Sequence, residues 1–89
     1  MNVIISVMGK DSVGIIAKVS NECAECKVNI MDISQTVLQD YFVMIMLADI
    51  TDLKIPFTEF VDKMKKVGTD MGLSVQTMHE DIFNSMHRI

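Results

Sequence analysis

The sequence predicts an α+β fold in which a four-stranded antiparallel sheet carries two helices on one face. Three observations predict it. Short apolar, β-branched runs of strand length alternate with two stretches of helical spacing, in the order strand, helix, strand, strand, helix, strand. The third strand is apolar on both faces, the mark of a strand in the middle of a sheet. A glycine-bracketed loop, Gly9-Lys10-Asp11-Ser12-Val13-Gly14-Ile15, joins the first strand to the first helix. Such a turn aims backbone N–H groups and the positive end of a helix dipole at one point, a geometry that suits a small anion.

The first strand is expected over residues 2–8, where Val3, Ile4, Ile5 and Val7 are β-branched. Asp11 or Ser12 then supplies an N-cap oxygen to a helix expected over residues 13–26. Ile16, Val19, Cys23 and Cys26 fall on one face of it with Ile15 beside them, and Lys18, Asn21, Glu22 and Glu25 fall on the other. Lys27 ends the helix, and a second strand begins near Val28. In it Met31, Ile33, Gln35 and Val37 alternate with Asp32, Ser34 and Thr36, a half-buried pattern. Gln39-Asp40 marks a tight turn that lacks the glycine of the common hairpins.

The third strand, residues 41–50, points Phe42, Met44, Met46 and Ala48 one way and Tyr41, Val43, Ile45 and Leu47 the other. After a polar loop, Pro56 is accommodated in the first turn of a second helix. Phe57, Phe60, Val61, Met64, Val67 and Met71 repeat along it at core-facing spacing. Gly72 stops that helix and a fourth strand follows over residues 73–79. The tail, residues 81–89, is expected to form a short helical turn presenting Ile82, Phe83, Met86 and Ile89.

Two strand–helix–strand halves make a βαββαβ, ferredoxin-like sandwich, with the first and third strands central. Two helices cover one face of such a sheet and leave the other open. An apolar open face implies self-association, so at least a dimer is expected.

The chain has 89 residues, read as a single domain over residues 1–89. A net charge of −4 argues against nucleic acid as a partner. Lys63, Lys65 and Lys66 form a solvated helix face rather than a phosphate patch. No apolar run reaches the length of a membrane span and the N-terminus carries no basic leader, so a soluble, cytoplasmic protein without a membrane partner is expected. Cys23 and Cys26 have C-x-x-C spacing, but they close a helix instead of opening one and lack further ligands at matching spacing. They are read as small buried apolar residues. His79 and His87 are isolated imidazoles with surface or interface roles, so no metal and no cofactor is expected. Lys10 and Asp11 are adjacent ionisable groups without a nucleophile–base pair, so an enzyme is not expected.

With this topology and this first loop, the chain resembles the ACT domain, a small-molecule-binding regulatory module of amino-acid metabolism. The resemblance rests on the loop of residues 9–15, Asn29-Ile30 opening the second strand, the apolar hairpin and Gly72-Leu73. The tail Ile82-Phe83-Asn84-Ser85-Met86-His87-Arg88-Ile89 is similar to that of stand-alone prokaryotic ACT proteins of the UPF0237 type. The resemblance implies an amino acid bound at a subunit interface by Gly9, Lys10, Asp11, Ser12, Val13, Gly14, Ile15, Asn29 and Ile30. Asp11 then holds the ammonium group, the backbone N–H groups of Ser12 to Ile15 take the carboxylate, and Asn29 bridges the two. Gly14 matches the helix-entry glycine of the family. The chain departs from serine-binding members, which carry a histidine where Gly9 stands.

The residues by themselves also admit Asp11 as a helix cap and Asn29 as a turn terminator. The expected function is a free-standing homo-oligomeric sensor that modulates a separate protein, for instance a partner enzyme. The alternative is an assembly subunit that pairs with an enzyme without binding a metabolite.

Overall fold

β1 (Asn2–Lys10) and β3 (Tyr41–Asp49) pair antiparallel in the middle of the sheet, with β2 (Asn29–Leu38) outside β3 and β4 (Leu73–His79) outside β1. This computed structural model describes residues 1–86. Alternation along β1 sets the layers. Val3, Ile5 and Val7 stand opposite Ala48, Met46 and Met44 of β3, and all six are buried. Two helices seal that face. α1 (Ile15–Glu25) contributes Ile15, Val19 and Cys23, and α2 (Phe57–Met71) contributes Phe60, Met64 and Val67. The ferredoxin-like order expected from the sequence is therefore the observed one.

Several boundaries differ from the expectation, each for a local reason. β1 continues two residues further, to Lys10, because its ladder with β3 continues through Gly9↔Phe42 and Lys10↔Tyr41. α1 begins at Ile15, two residues later than expected, because Gly14 is its N-cap in the left-handed conformation (φ 88°, ψ 8°). No side chain caps it, so neither Asp11 nor Ser12 is the helix cap. With the helix starting there, Ile15 turns into the core and Ile16, expected in the core, is exposed. Pro56 stands at the N-cap of α2, just before its first turn, and Gly72 closes α2 in the left-handed conformation.

β2 is exposed along nearly its whole length, with Ile30 half-buried against the core. A bulge between Ile30 and Asp32 resets the register, after which Ile33, Gln35 and Val37 oppose Met46, Met44 and Phe42. The half-buried pattern expected of this strand is thus present in direction but not in burial. Ile33 and Val37 lie on the helix-bearing face yet remain exposed, because α1 leaves the outer strand uncovered.

The opposite face of the sheet is not bare. Ile4, Ser6 and Met8 of β1 look out on it with Val43, Ile45 and Leu47 of β3. α3 (Glu80–Met86) folds back across this face against β1 and β4. Ile4 is consequently only 8% exposed although it points away from the two-helix core. Phe83 is half-buried in α3, while Ile82 and Met86 are exposed; Ile89 and His87 lie outside the described residues. Among the described residues no helix is long and apolar enough to cross a membrane.

Candidate functional site

The loop between β1 and α1 is shaped by two glycines and one backbone bond. A Cβ built on Gly9 would meet Leu73 Cδ2 at 2.6 Å and the Gly72 carbonyl oxygen at 3.3 Å, so any larger residue there requires the Leu73 side chain to move. Immediately after β1, the Asp11 N–H donates to the Asp40 carbonyl at 2.8 Å and ties the loop to the β2–β3 turn. The chain then turns through Gly14, whose φ of 88° is costly for any residue with a Cβ. Lys18 N–H donates to the Gly14 carbonyl at 2.9 Å, the first bond of the helix.

The N–H groups of the first helical turn have no intrahelical acceptor, and no side chain supplies one. The positive end of the helix dipole therefore opens onto the loop. Beside it the carboxylate of Asp11 is exposed and, among the described residues, makes no hydrogen bond or ion pair.

A hollow of about 290 Å³ joins these groups. Asp11, Ser12, Gly14, Ile15, Ile16 and Ala17 form one wall, and Gln35, Val37 and Phe42 form the other. Lys10 and Val13 flank it, and Val13 is fully exposed at the loop apex. The second wall was not foreseen in the sequence. Its one available signal is Gln35, a polar residue interrupting the apolar stripe of β2.

Asn29 and Ile30 are elsewhere. Asn29 pairs with Asp49 at the end of β2 remote from the loop, and Leu38 pairs with Tyr41 at the near end. At about 3.3 Å per residue the strand separates Asn29 from the loop by roughly 30 Å within one chain. Asn29 is exposed, whereas Ile30 packs against the core. A single chain thus brings Asp11, Ser12, Gly14 and Ile15 to one hollow, with Gly9 and Lys10 in β1 and Val13 outside its lining, and does not bring the asparagine to them.

The cysteines and His79 pack within the fold. Cys23 and Cys26 are buried free thiols. Burial, with Cys26 and Glu22 adding to it, pushes the Cys23 thiol up to about 12, and burial likewise raises Cys26. Such thiols are poor nucleophiles and poor metal ligands. His79 stacks on Phe57 with ring centroids 4.7 Å apart. Among the described residues no three His, Cys, Asp or Glu side chains converge on a metal position.

A family model of the ACT domain matches residues 2–78. The chain belongs to the ACT domain family. It is 48% identical over 89 residues to a UPF0237 protein of Clostridium acetobutylicum, covering 100% of both chains. A UPF0237 protein of Methanocaldococcus jannaschii is 46% identical over 87 residues, covering 98% of this chain and 97% of that one. Among solved structures, an ACT domain protein from Streptococcus pneumoniae superposes with a TM-score of 0.81 at 40% identity over 93% of each chain. This ACT domain is thus of the UPF0237 type, a ligand-binding regulatory module. The residues matched by the family model end before α3.

Proposed function

We propose that this ACT domain is a homo-oligomeric sensor of a free amino acid, which it takes at the β1–α1 loop and signals to a separate protein. The observation that carries the reading is the uncapped N-terminus of α1 beside the unpaired carboxylate of Asp11. An amino-acid zwitterion is complementary to that pair. Its carboxylate meets N–H groups between Ser12 and Ile15, and its ammonium meets Asp11. Gln35 across the hollow offers a donor and an acceptor to the ligand's side chain.

The exposed edge of β2 supports a subunit seam. As an edge strand it leaves its outward N–H and C=O groups without a strand partner, the Ile33 N–H donating to Asp32 Oδ1 at 2.9 Å, and Asp32 is its one charged residue. Two copies joining β2 to β2 antiparallel about a two-fold axis continue the sheet and bring Asn29 of the partner subunit towards the loop. Val13, Ile16, Ile33 and Val37, all exposed in the single chain, then lie near the seam. Ligand binding and association are linked in that arrangement, which is the route for a signal. The chain carries Gly9 where serine-binding ACT domains carry a histidine, and a Cβ there would press on Leu73 Cδ2, so a ligand other than serine is favoured.

The test is thermal unfolding of the purified protein against the twenty amino acids at millimolar concentration. A ligand at 100 times its Kd adds about 2.7 kcal/mol, which raises the midpoint of a domain this size by roughly 10 °C or more. A rise with one or two related amino acids is the expected result. A flat response across the panel overturns the sensor reading and leaves an assembly subunit that pairs through the β2 edge without a metabolite.

A further inference from the structure

We propose that the cleft between α3 and the open face of the sheet is a second ligand site, for a small neutral molecule with an apolar body and one hydrogen-bonding group. The cleft encloses about 500 Å³, within the range of roughly 300–1,000 Å³ typical of small-molecule sites. Ile4, Ile45 and Met78 form its apolar floor, and Phe83 and Met86 of α3 overhang it. It lies on the opposite side of the sheet from the loop hollow, so it stands or falls independently of the amino-acid reading.

Three features define the ligand. None of the lining residues is charged, in a chain with 8 Lys+Arg and 12 Asp+Glu, so a carboxylate or ammonium entering would lose its water without gaining a partner. Ser6 and Gln76 face each other in register across β1 and β4 in the middle of the floor. Neither side chain has a hydrogen-bond partner among the described residues, so together they anchor one polar group of a ligand. Met8, Met78 and Met86 line the rest, and unbranched thioethers adapt to the outline of an apolar body. Met8 is 46% and Met86 64% exposed, area that an apolar occupant removes from water.

A second sheet is a poor occupant. Stacked sheets lie about 10 Å apart, and α3, itself about 10 Å across, stands on this face. The site therefore depends on α3, which lies beyond the residues matched by the ACT-domain model.

The test uses N-phenyl-1-naphthylamine, a neutral arylamine whose fluorescence rises in apolar surroundings, with protein carrying ¹³C-methyl methionine. The expected result is saturable binding of one probe per chain that shifts the methyl signals of Met8, Met78 and Met86 and leaves those of buried Met44, Met46 and Met64 in place. Ile45 is exposed, so Ile45→Asp is expected to keep the core signals while weakening the probe by at least about tenfold, the effect of a charge placed in an apolar site. If that variant does not fold, Gln76→Met at an exposed floor position serves instead. It is expected to abolish the preference for the arylamine over 1-benzylnaphthalene, in which a CH2 replaces the N–H between the same two ring systems. Binding that does not saturate, that survives Ile45→Asp, or that never prefers the arylamine overturns the proposal. So do shifts of Met8 and Met86 that follow protein concentration without probe, which would make a second copy of the chain the occupant.

Discussion

The Asp11 backbone N–H donates to the Asp40 carbonyl at 2.8 Å, which fixes the β1–α1 loop against the β2–β3 turn while leaving the Asp11 carboxylate unused. Backbone and side chain of one residue thereby do separate jobs. Asp11→Ala keeps the anchor and removes only the carboxylate. Stability is expected to change by less than about 0.5 kcal/mol, the usual limit for a surface substitution, because no cap is lost. The amino-acid-dependent rise in Tm is expected to vanish. Denaturant unfolding with and without ligand measures both, and a loss near 1 kcal/mol without ligand would restore Asp11 as a helix cap.

Gly14 tests the other half of the loop. A Cβ there meets no atom within 4 Å, but φ is 88°. Gly14→Ala is therefore expected to cost roughly 1–2 kcal/mol from conformation alone, with no steric rearrangement. Urea denaturation reads the cost, and an unchanged midpoint would mean that the helix starts elsewhere.

Gln39 occupies the hairpin position where glycine is usual and takes φ 58°. Relief of that strain by Gln39→Gly is expected to stabilise the fold by about 1 kcal/mol, a rise in Tm of roughly 4–8 °C for a domain of this size. A lower Tm would show that the Gln39 side chain contributes more than its backbone strain costs.

Asp49 gives the chain an acid-sensitive element. The Thr51 hydroxyl and N–H donate to Asp49 Oδ1 at 2.6 and 2.9 Å, and the N-terminal ammonium lies 3.5 Å away. The Thr51 bonds, hydroxyl first, hold the Asp49 carboxyl below its ordinary value of 3.8. A depressed carboxylate stabilises the fold above its unfolded pKa, and that contribution is lost as pH falls through the folded value. The stability difference between wild type and Asp49→Asn is expected to narrow as pH is lowered from neutrality to about 2. Urea midpoints across that range check it; a difference independent of pH contradicts the Thr51 interaction.

Cys23 and Cys26 are expected to resist alkylation. With the Cys23 thiol pushed up to about 12, almost no thiolate exists at neutral pH. Iodoacetamide should label the native protein far more slowly than the protein in urea, and equal rates would contradict the buried pair.

Periodicity made the layering legible. Alternation divided β3 into two apolar sets without telling which of them the helices cover, while the two-faced apolar character of β1 and β3 put both in the middle of the sheet, where they sit. The strand–helix junction was equally legible from its two glycines, although the connection itself is only residues 11–14, because Gly9 and Lys10 stay in the ladder with β3. The cap was misread because Asp11 and Ser12 are strong capping types, whereas the backbone takes Asp11 into a bond with the distant Asp40. Propensity carries no knowledge of such a partner. Gln35 was hidden for the same reason, since its place opposite the loop depends on how the hairpin lies against α1. The exposure of β2 was hidden as well, because alternation tells which way side chains point but not whether a helix reaches over them.

β1 also has a bearing on how this chain can diverge. Its successive residues serve opposite sides of the sheet, Val3, Ile5 and Val7 towards the two helices and Ile4, Ser6 and Met8 towards α3. Substitutions on one side therefore leave the other side's lining untouched, and the two surfaces are free to drift under separate selection. An insertion or deletion of one residue has no such freedom. It exchanges both sets at once, so β1 is expected to vary readily in composition among descendants of this gene and hardly at all in length.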